Sequence, residues 1–346
     1  MINRIIFINL TNNKYTRTRN YYHGFLKLDI DCSWKDVAGF RELVSVYREI
    51  KPFRNNTTVI VTSRSQLLSI YSFFLGYRVI LDAGLPLWDG VITSRRSFGF
   101  MGLSLIKVYL IDYLSLHLAK HVIFETYVQE SRVSKMFAIR RVNLSHVLLG
   151  FDENRFAHRN MDQELLIVKK GVLNILFRGG NQVESGISLL IQACKILEND
   201  KRFTFTLVTN NLGSEISIKN LRLIVRHISD DLMKDLLLQS DLILGQMLNH
   251  KRLSIAIPHK FYEAAYFSKP YLTADYGLMK DFVDKNLVFG FKAGDVQSFI
   301  ENLNILYEKQ VEMFLCGQKF GDWYNENCSQ LVLAKKFYDI LLESKK

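Results

Sequence analysis

The stretch "VLNILFRGGNQVESGISLLIQACKIL" (residues 172–197) decides how the rest of the chain is read. "VLNILF" is a short, nearly continuous apolar run, the pattern of a strand covered on both faces. "RGGNQVESG" follows as a turn, and "ISLLIQACKIL" then carries apolar residues at helical spacing. A buried strand that turns through glycines into a helix offers backbone N–H groups and the positive end of the helix dipole, a combination that holds phosphates. Gly179 and Gly180 admit close approach and positive φ, and Gly186 opens the helix. The turn is neither a dinucleotide fingerprint, because G-x-G-x-x-G is absent, nor a Walker loop, because no G-K-[ST] follows. An ordinary strand-to-helix turn is the plain alternative.

The same grammar extends in both directions. Before it, strands are expected at 5–10, 57–63, 77–84, 121–126 and 146–150, separated by helices at 42–50, 66–76, near 101–119 and at 129–138. After it come strands at 203–210, 221–228, 241–245, 270–274 and 286–291, with helices at 186–198, around "DDLMKDLLLQS" and at 258–268. Apolar strands alternating with single helices mean parallel sheets with helices on both sides. The polar, aperiodic "FDENRFAHRNMDQE" marks a linker. The fold class is therefore α/β, with two tandem doubly wound, Rossmann-like domains: 1–152, a linker at 153–170, and 171–318. A C-terminal helical segment, 319–346, is expected to pack back on the first domain. In such sheets ligands sit at the carboxyl ends of the strands, so two facing domains would share a cleft.

Composition narrows the function classes. At 346 residues the chain fits two domains of about 150 residues. It is 48% hydrophobic and 12% aromatic, ample for packed cores. The net charge of +11 points to an anionic partner: nucleic acid, an acidic membrane face or a phosphorylated substrate. Lys and Arg form no basic run, which argues against nucleic acid. The four cysteines never form C-x-x-C and the eight histidines show no metal-ligand spacing, so neither a metal nor another cofactor is expected. No signal peptide is evident, and a cytoplasmic setting is expected, with the inner face of the membrane as a further option. The most apolar segment, 97–124, is broken by Lys107 and Asp112 and falls short of the roughly 18 apolar residues of a spanning helix. It reads as a core helix of the first domain, with a membrane-surface helix as the alternative.

A second feature is "SIAIPHKFYEAAYFSKPYLTAD" (254–275). Pro258 suits a helix start, and His259, Lys260 and Glu263 then fall on one face. A cation and a carboxylate there could grip a phosphate and a sugar hydroxyl; a solvated helical ion pair is the alternative.

In this order and at this separation, "FRGGNQVESG" and "YEAAYFSKP" resemble the second domain of GT-B glycosyltransferases of the retaining family-four type. In that family a G-R-x-x-x-x-K-G turn precedes a helix, and E-A-x-A-x-G-K-P lies on a later one. "NLVFGFKAGDVQSF" is similar to the family's late strand-to-helix stretch, and "KHVIFETYVQESRV" and "VLLGFDENRF" to its last elements before the linker. The resemblance implies a transferase that moves a sugar from a nucleotide-sugar to a glycan, lipid-linked or protein-linked acceptor, with retention and without metal. It implies Glu263 on the ribose, Arg178, Gly179, Gly180 and Lys260 on the diphosphate, and Asn249, His250, Arg252 and His259 near the donor. The pattern also departs from the family: its phosphate-binding Arg and Lys fall on Gly180 and Ser185, and its second carboxylate falls on Ile255. A degenerate homologue acting as a binding or scaffold protein, or an epimerase of the same fold, are the rival readings.

In the first domain "ILDAGLPLWDG" leaves a strand end with Asp82, Gly84 and Asp89, so a carboxylate there could orient or deprotonate an acceptor hydroxyl. Asp82 capping its own turn is the alternative. Arg95 and Arg96, just beyond, could meet an anionic acceptor or an anionic membrane. The D-x-D triplet at 29–31 is set aside, because the surrounding tandem α/β pattern does not suit the metal-dependent folds that use it.

Overall fold

Among the described residues, every strand lies in one of two six-stranded parallel sheets. The structure, a computed structural model, describes residues 4–11, 16–84, 86–94, 103–140, 143–156, 171–180, 182–210, 212 and 216–344. The chain divides into two units, 1–152 together with 327–346, and 153–326.

The first unit holds β1 (Arg4–Leu10), β2 (Cys32–Val37), β3 (Thr57–Val61), β4 (Arg78–Gly84), β5 (His121–Phe124) and β6 (Leu144–His146), in the order β2-β1-β3-β4-β5-β6. Its helices are α1 (Thr16–Lys27), α2 (Phe40–Ile50), α3 (Gln66–Phe74), α4 (Leu87–Ser94), α5 (Leu103–Leu118) and α6 (Tyr127–Phe137). The near-continuous apolar runs divide by the period of two. Ile6, Ile8, Val59, Val61, Val79 and Leu81 face one core with Leu43, Leu68, Leu116 and Val133 of the helices. Ile5, Phe7, Ile60, Ile80 and Ile123 face the other, against Tyr21 and Phe25 of α1 and Leu333, Phe337 and Leu341 of a helix over Gln330–Glu343. Gly24 lets those two helices close, since a Cβ there would overlap Gln330 and Ala334.

The second unit holds β7 (Leu173–Arg178), β8 (Phe203–Thr209), β9 (Leu221–Val225), β10 (Leu242–Leu244), β11 (Tyr271–Ala274) and β12 (Phe289–Phe291), in the order β12-β11-β10-β7-β8-β9. α7 (Ile187–Ile196), α8 (Asp230–Gln239), α9 (His259–Tyr266), α10 (Leu278–Asp284), α11 (Val296–Glu308) and α12 (Gln310–Asn327) complete it, and the Gln330–Glu343 helix is α13. Ser229 and Asp295 supply the N-caps of α8 and α11, accepting from Leu232 N and from Gln297 and Ser298 N.

Several expectations are corrected. The polar segment after β1 holds α1, and the D-x-D triplet lies in the turn between α1 and β2, with Asp29 at φ 54°. β2 escapes a pattern reading because it is a polar, half-buried edge strand. β6 ends at His146 where a strand was expected to begin. α12 runs unbroken across 318/319, where a boundary was expected; Gly317 and Gly321 hide it from propensity, and both press against Ser268. α5 is not a core helix throughout, since Ile106, Leu110, Tyr113 and Leu114 are exposed. Residues 157–170 of the expected linker lie outside the described residues.

Candidate active site

In the second sheet the chain runs outward from β7 through β8 to β9, then returns to the other side of β7 for β10, β11 and β12. The order reverses between β7 and β10, and ligands of open parallel sheets bind at the carboxyl ends of the strands at such a point. Arg178 ends β7 and Gly179 follows it, while Gly245 and Gln246 follow β10.

Three predicted side chains meet there. Glu263 on α9 is buried, and its Oε1 accepts from Nη1 of Arg178. The Arg178 side chain is 40% exposed, so one end of the pair is anchored and the other reaches water. Lys260, one turn earlier on α9 and also buried, donates from Nζ to the carbonyl of Gly245 at 2.9 Å and stands 3.7 Å over the centre of the Phe177 ring. Beneath them, burial and then the Glu263 carboxylate push the Tyr271 phenol above its ordinary range.

The turn after β7 is built differently from its sequence expectation. Gly179 and Gly180 are not in the left-handed region; that conformation falls on Gly186, at φ 68°. A Cβ on Gly186 would stand 2.6 Å from Cβ of Met247, so glycine brings the start of α7 against the segment after β10. No side chain caps α7. A Cβ on Gly180 would make ordinary contact with Gln182 at 3.5 Å, whereas one on Gly179 would press on the Phe177 ring at 3.3 Å and come 3.8 Å from Lys260 Nζ. Ser185 is buried and turns its hydroxyl onto the carbonyl of Gln182. Ile255 is likewise buried. Neither position carries a charge toward the switch point.

The remaining donor candidates are spread out. His250 caps a short 3-10 turn, Lys251–Ser254, its Nδ1 accepting from Arg252 N at 3.3 Å. Asn249 and His259 are exposed. Asp275, which the sequence reading missed, follows β11 at the same end of the sheet, with Oδ2 3.8 Å from Lys280 Nζ. Its signal was available: an acidic residue directly after a buried strand.

The first unit treats its candidates otherwise. Asp82 lies inside β4, wholly buried, accepting from Arg17 Nε at 2.7 Å and Thr18 Oγ1 at 2.6 Å. Gly84 ends the strand at φ 55°, beside a register shift against β5. Asp89 is buried and bound by the Arg132 guanidinium through Nη2 at 2.9 Å and Nε at 3.0 Å. Asp112 accepts from the N–H of Trp88 at 2.7 Å, and burial pushes its carboxyl up to about 6. Arg95 and Arg96 lie outside the described residues. Here the strand order reverses between β1 and β3, where Asn9, Thr62 and Ser65 form a buried polar set: Thr62 Oγ1 donates to Asn9 Oδ1 at 2.7 Å, and Leu10 N donates to Ser65 Oγ at 3.2 Å. The signal for this set is an asparagine inside the apolar "IIFINL" and the hydroxyl run "TSRS" after β3.

Among the described residues no group of three His, Cys, Asp or Glu converges as metal ligands would, and no helix is long and apolar enough to cross a membrane. No family model and no curated protein matches the chain by sequence. Its fold is that of solved glycosyltransferases. HepE of Anabaena, in complex with UDP, superimposes at a TM-score of 0.65 with 12% identity over 98% of this chain and 99% of its own. Sucrose-phosphate synthase of Thermosynechococcus elongatus gives 0.66 with 8% identity over 98% of each chain. The catalytic domain of starch synthase IV of Arabidopsis thaliana, bound to ADP and acarbose, gives 0.67 with 8% identity over 99% of each. The chain has the GT-B fold.

Proposed function

We propose that the chain is a retaining glycosyltransferase that takes a sugar from a nucleotide-sugar and passes it to a hydroxyl of a glycan or lipid-linked acceptor. The observation that carries this reading is the set of Arg178, Lys260 and Glu263 at the switch point of the second sheet, beside an uncapped helix start. Glu263 accepts from the ribose hydroxyls. Arg178, released from Glu263 by that exchange, turns its exposed guanidinium to the diphosphate, and the amides of the turn and of α7 complete the cradle. Lys260, fixed by Gly245, adds positive potential beneath it. The bond from the anomeric carbon to the phosphate oxygen breaks, and the acceptor oxygen bonds the same carbon from the same face. The hydroxyl proton passes to the departing phosphate, whose growing charge the cations and amides stabilise. The UDP and ADP carried by fold relatives support a nucleoside diphosphate as the leaving group.

A second reading, a binding protein of this fold without turnover, is favoured by Gly180, Ser185 and Ile255 standing where the family pattern places charges. Calorimetry with UDP, ADP and GDP on the wild type, Glu263→Gln and Arg178→Ala tests both. At least one diphosphate is expected to bind, and about tenfold more weakly in each variant, as for a lost charge-assisted hydrogen bond. Binding untouched by either change would overturn the site. Binding without release of sugar from any nucleotide-sugar, in the presence of acceptor glycans, would favour the second reading.

A further inference from the structure

One polar group beneath the Arg178–Glu263 pair is buried without a settled partner: the Tyr271 hydroxyl. Tyr271 opens β11 opposite Ile243 of β10. Its ring is wholly buried, edge to face with Phe261 of α9 at 5.8 Å and 6.3 Å from Phe320 of α12. The far end of the ring reaches the carboxyl end of β10: a Cβ on Gly245 would stand 2.8 Å from Tyr271 Cζ and 2.3 Å from Thr273 Oγ1. Glycine at 245 therefore makes room for both side chains, while its carbonyl holds Lys260 of α9. Aromatic neighbours of this kind would suit a phenylalanine equally well. The hydroxyl is nonetheless present, buried and without a hydrogen bond of ordinary geometry, a costly state for a polar group.

Two groups act on that hydroxyl, Glu263 and Thr273. Thr273 Oγ1 already donates to the Gln246 carbonyl at 3.1 Å, so toward Tyr271 it can only accept, and as a neutral acceptor it is the weaker of the two. Glu263 is the stronger: an ionised carboxylate has room for about four donors, and Arg178 Nη1 takes one place at Oε1. Burial, and then that carboxylate, hold the phenol above its ordinary range, so it keeps its proton and remains a donor. Arg178 is the partner that leaves when the diphosphate site fills, and its departure would strand a buried carboxylate. We propose that Tyr271 is a positioning residue that exchanges with Arg178: as the guanidinium turns to the diphosphate, the Tyr271 hydroxyl donates to Glu263 and holds the carboxylate toward the ribose. The exchange itself needs only the two donors; its purpose rests on the nucleotide-sugar reading above.

Urea unfolding of the full chain without ligand reads the exchange. In the wild type, Tyr271→Phe removes an unsatisfied hydroxyl and should leave the unfolding constant unchanged or lower it. In Arg178→Ala, where Tyr271 is the donor left to Glu263, the same change should raise that constant about tenfold, as for a lost hydrogen bond to a charged group. Adding Glu263→Gln should abolish most of that increase. Calorimetry with UDP, ADP and GDP and with their 2′-deoxy forms reads the purpose. Tyr271→Phe should weaken the ribonucleotide that binds about fivefold and its 2′-deoxy form less than about twofold. A tyrosine that serves only packing or Thr273 gives equal effects in the wild type and Arg178→Ala, or equal losses for both sugars, and either result overturns the proposal. If none of the diphosphates binds the wild type, the nucleotide-sugar reading and the ribose role fall together, while the urea series still decides whether Tyr271 and Arg178 exchange.

Discussion

Each unit contains an arginine bonded to a carboxylate, and the two pairs have opposite surroundings. Arg17 and Asp82 are both fully buried; Thr18 bonds the carboxylate at 2.6 Å and the Phe124 carbonyl accepts from the guanidinium at 2.8 Å. Arg178 and Glu263 sit at strand and helix ends, and the arginine is two-fifths exposed. A buried pair held on both sides by protein groups is costly to break. A pair with one wet end can exchange a partner at little cost, which a binding site requires.

The largest test of that contrast is Asp82→Ala. It strands the Arg17 charge and should cost about 3–5 kcal/mol, read from the urea midpoint. Glu263→Ala frees Arg178 into water and should cost about 1 kcal/mol or less. Equal losses would erase the distinction. A second test concerns His121, in the buried first strand-end of β5, where burial, then Arg78, lowers the imidazole to about 4. Between about 4 and 6.5 the unfolded chain binds the proton that the native state refuses, so this group's contribution is full above 6.5 and is lost as pH falls toward 4. Asp112, raised to about 6, works oppositely: its penalty is absent below about 4 and grows as pH rises to 6. The stability difference between wild type and His121→Gln isolates the first effect, and should move by about 2–3 kcal/mol in favour of the variant from pH 7 to 4. Parallel curves would show that His121 is not desolvated. Third, Gly186→Ala should destabilise by about 2 kcal/mol through its left-handed backbone and the overlap with Met247, whereas Gly180→Ala should stay within about 0.5 kcal/mol yet weaken diphosphate binding. Unchanged binding in Gly180→Ala would remove the turn from the phosphate cradle.

The fold was largely legible because buried parallel strands announce themselves: "IIFINL", "TTVIVT" and "VLNILF" have no other economical reading. α1 and β2 were not, since their residues are polar and are held by α13 and by an edge position, both long-range facts. Gly186 was placed correctly as the helix opener, but its positive φ was assigned to Gly179 and Gly180, because a glycine pair does not say which residue must turn. The proximity of Glu263 to Arg178 spans 85 positions and follows only from sheet order, as does the pairing of Asp82 with Arg17 across 65. A carboxylate in such a segment therefore looks the same in sequence whether it is a structural counter-ion, as Asp82 is inside β4, or stands on a helix at the switch point, as Glu263 does.

The residence of 327–346 in the first unit has a consequence for biogenesis. Leu333, Phe337 and Leu341 complete a core whose other members, Ile5, Phe7 and Phe25, leave the ribosome some three hundred residues earlier. The second unit, continuous from 153 to 326, can close during synthesis; the first holds a half-covered sheet until α13 emerges. Until then Ile5, Phe7 and Phe25 lack the helix that covers them in the native fold.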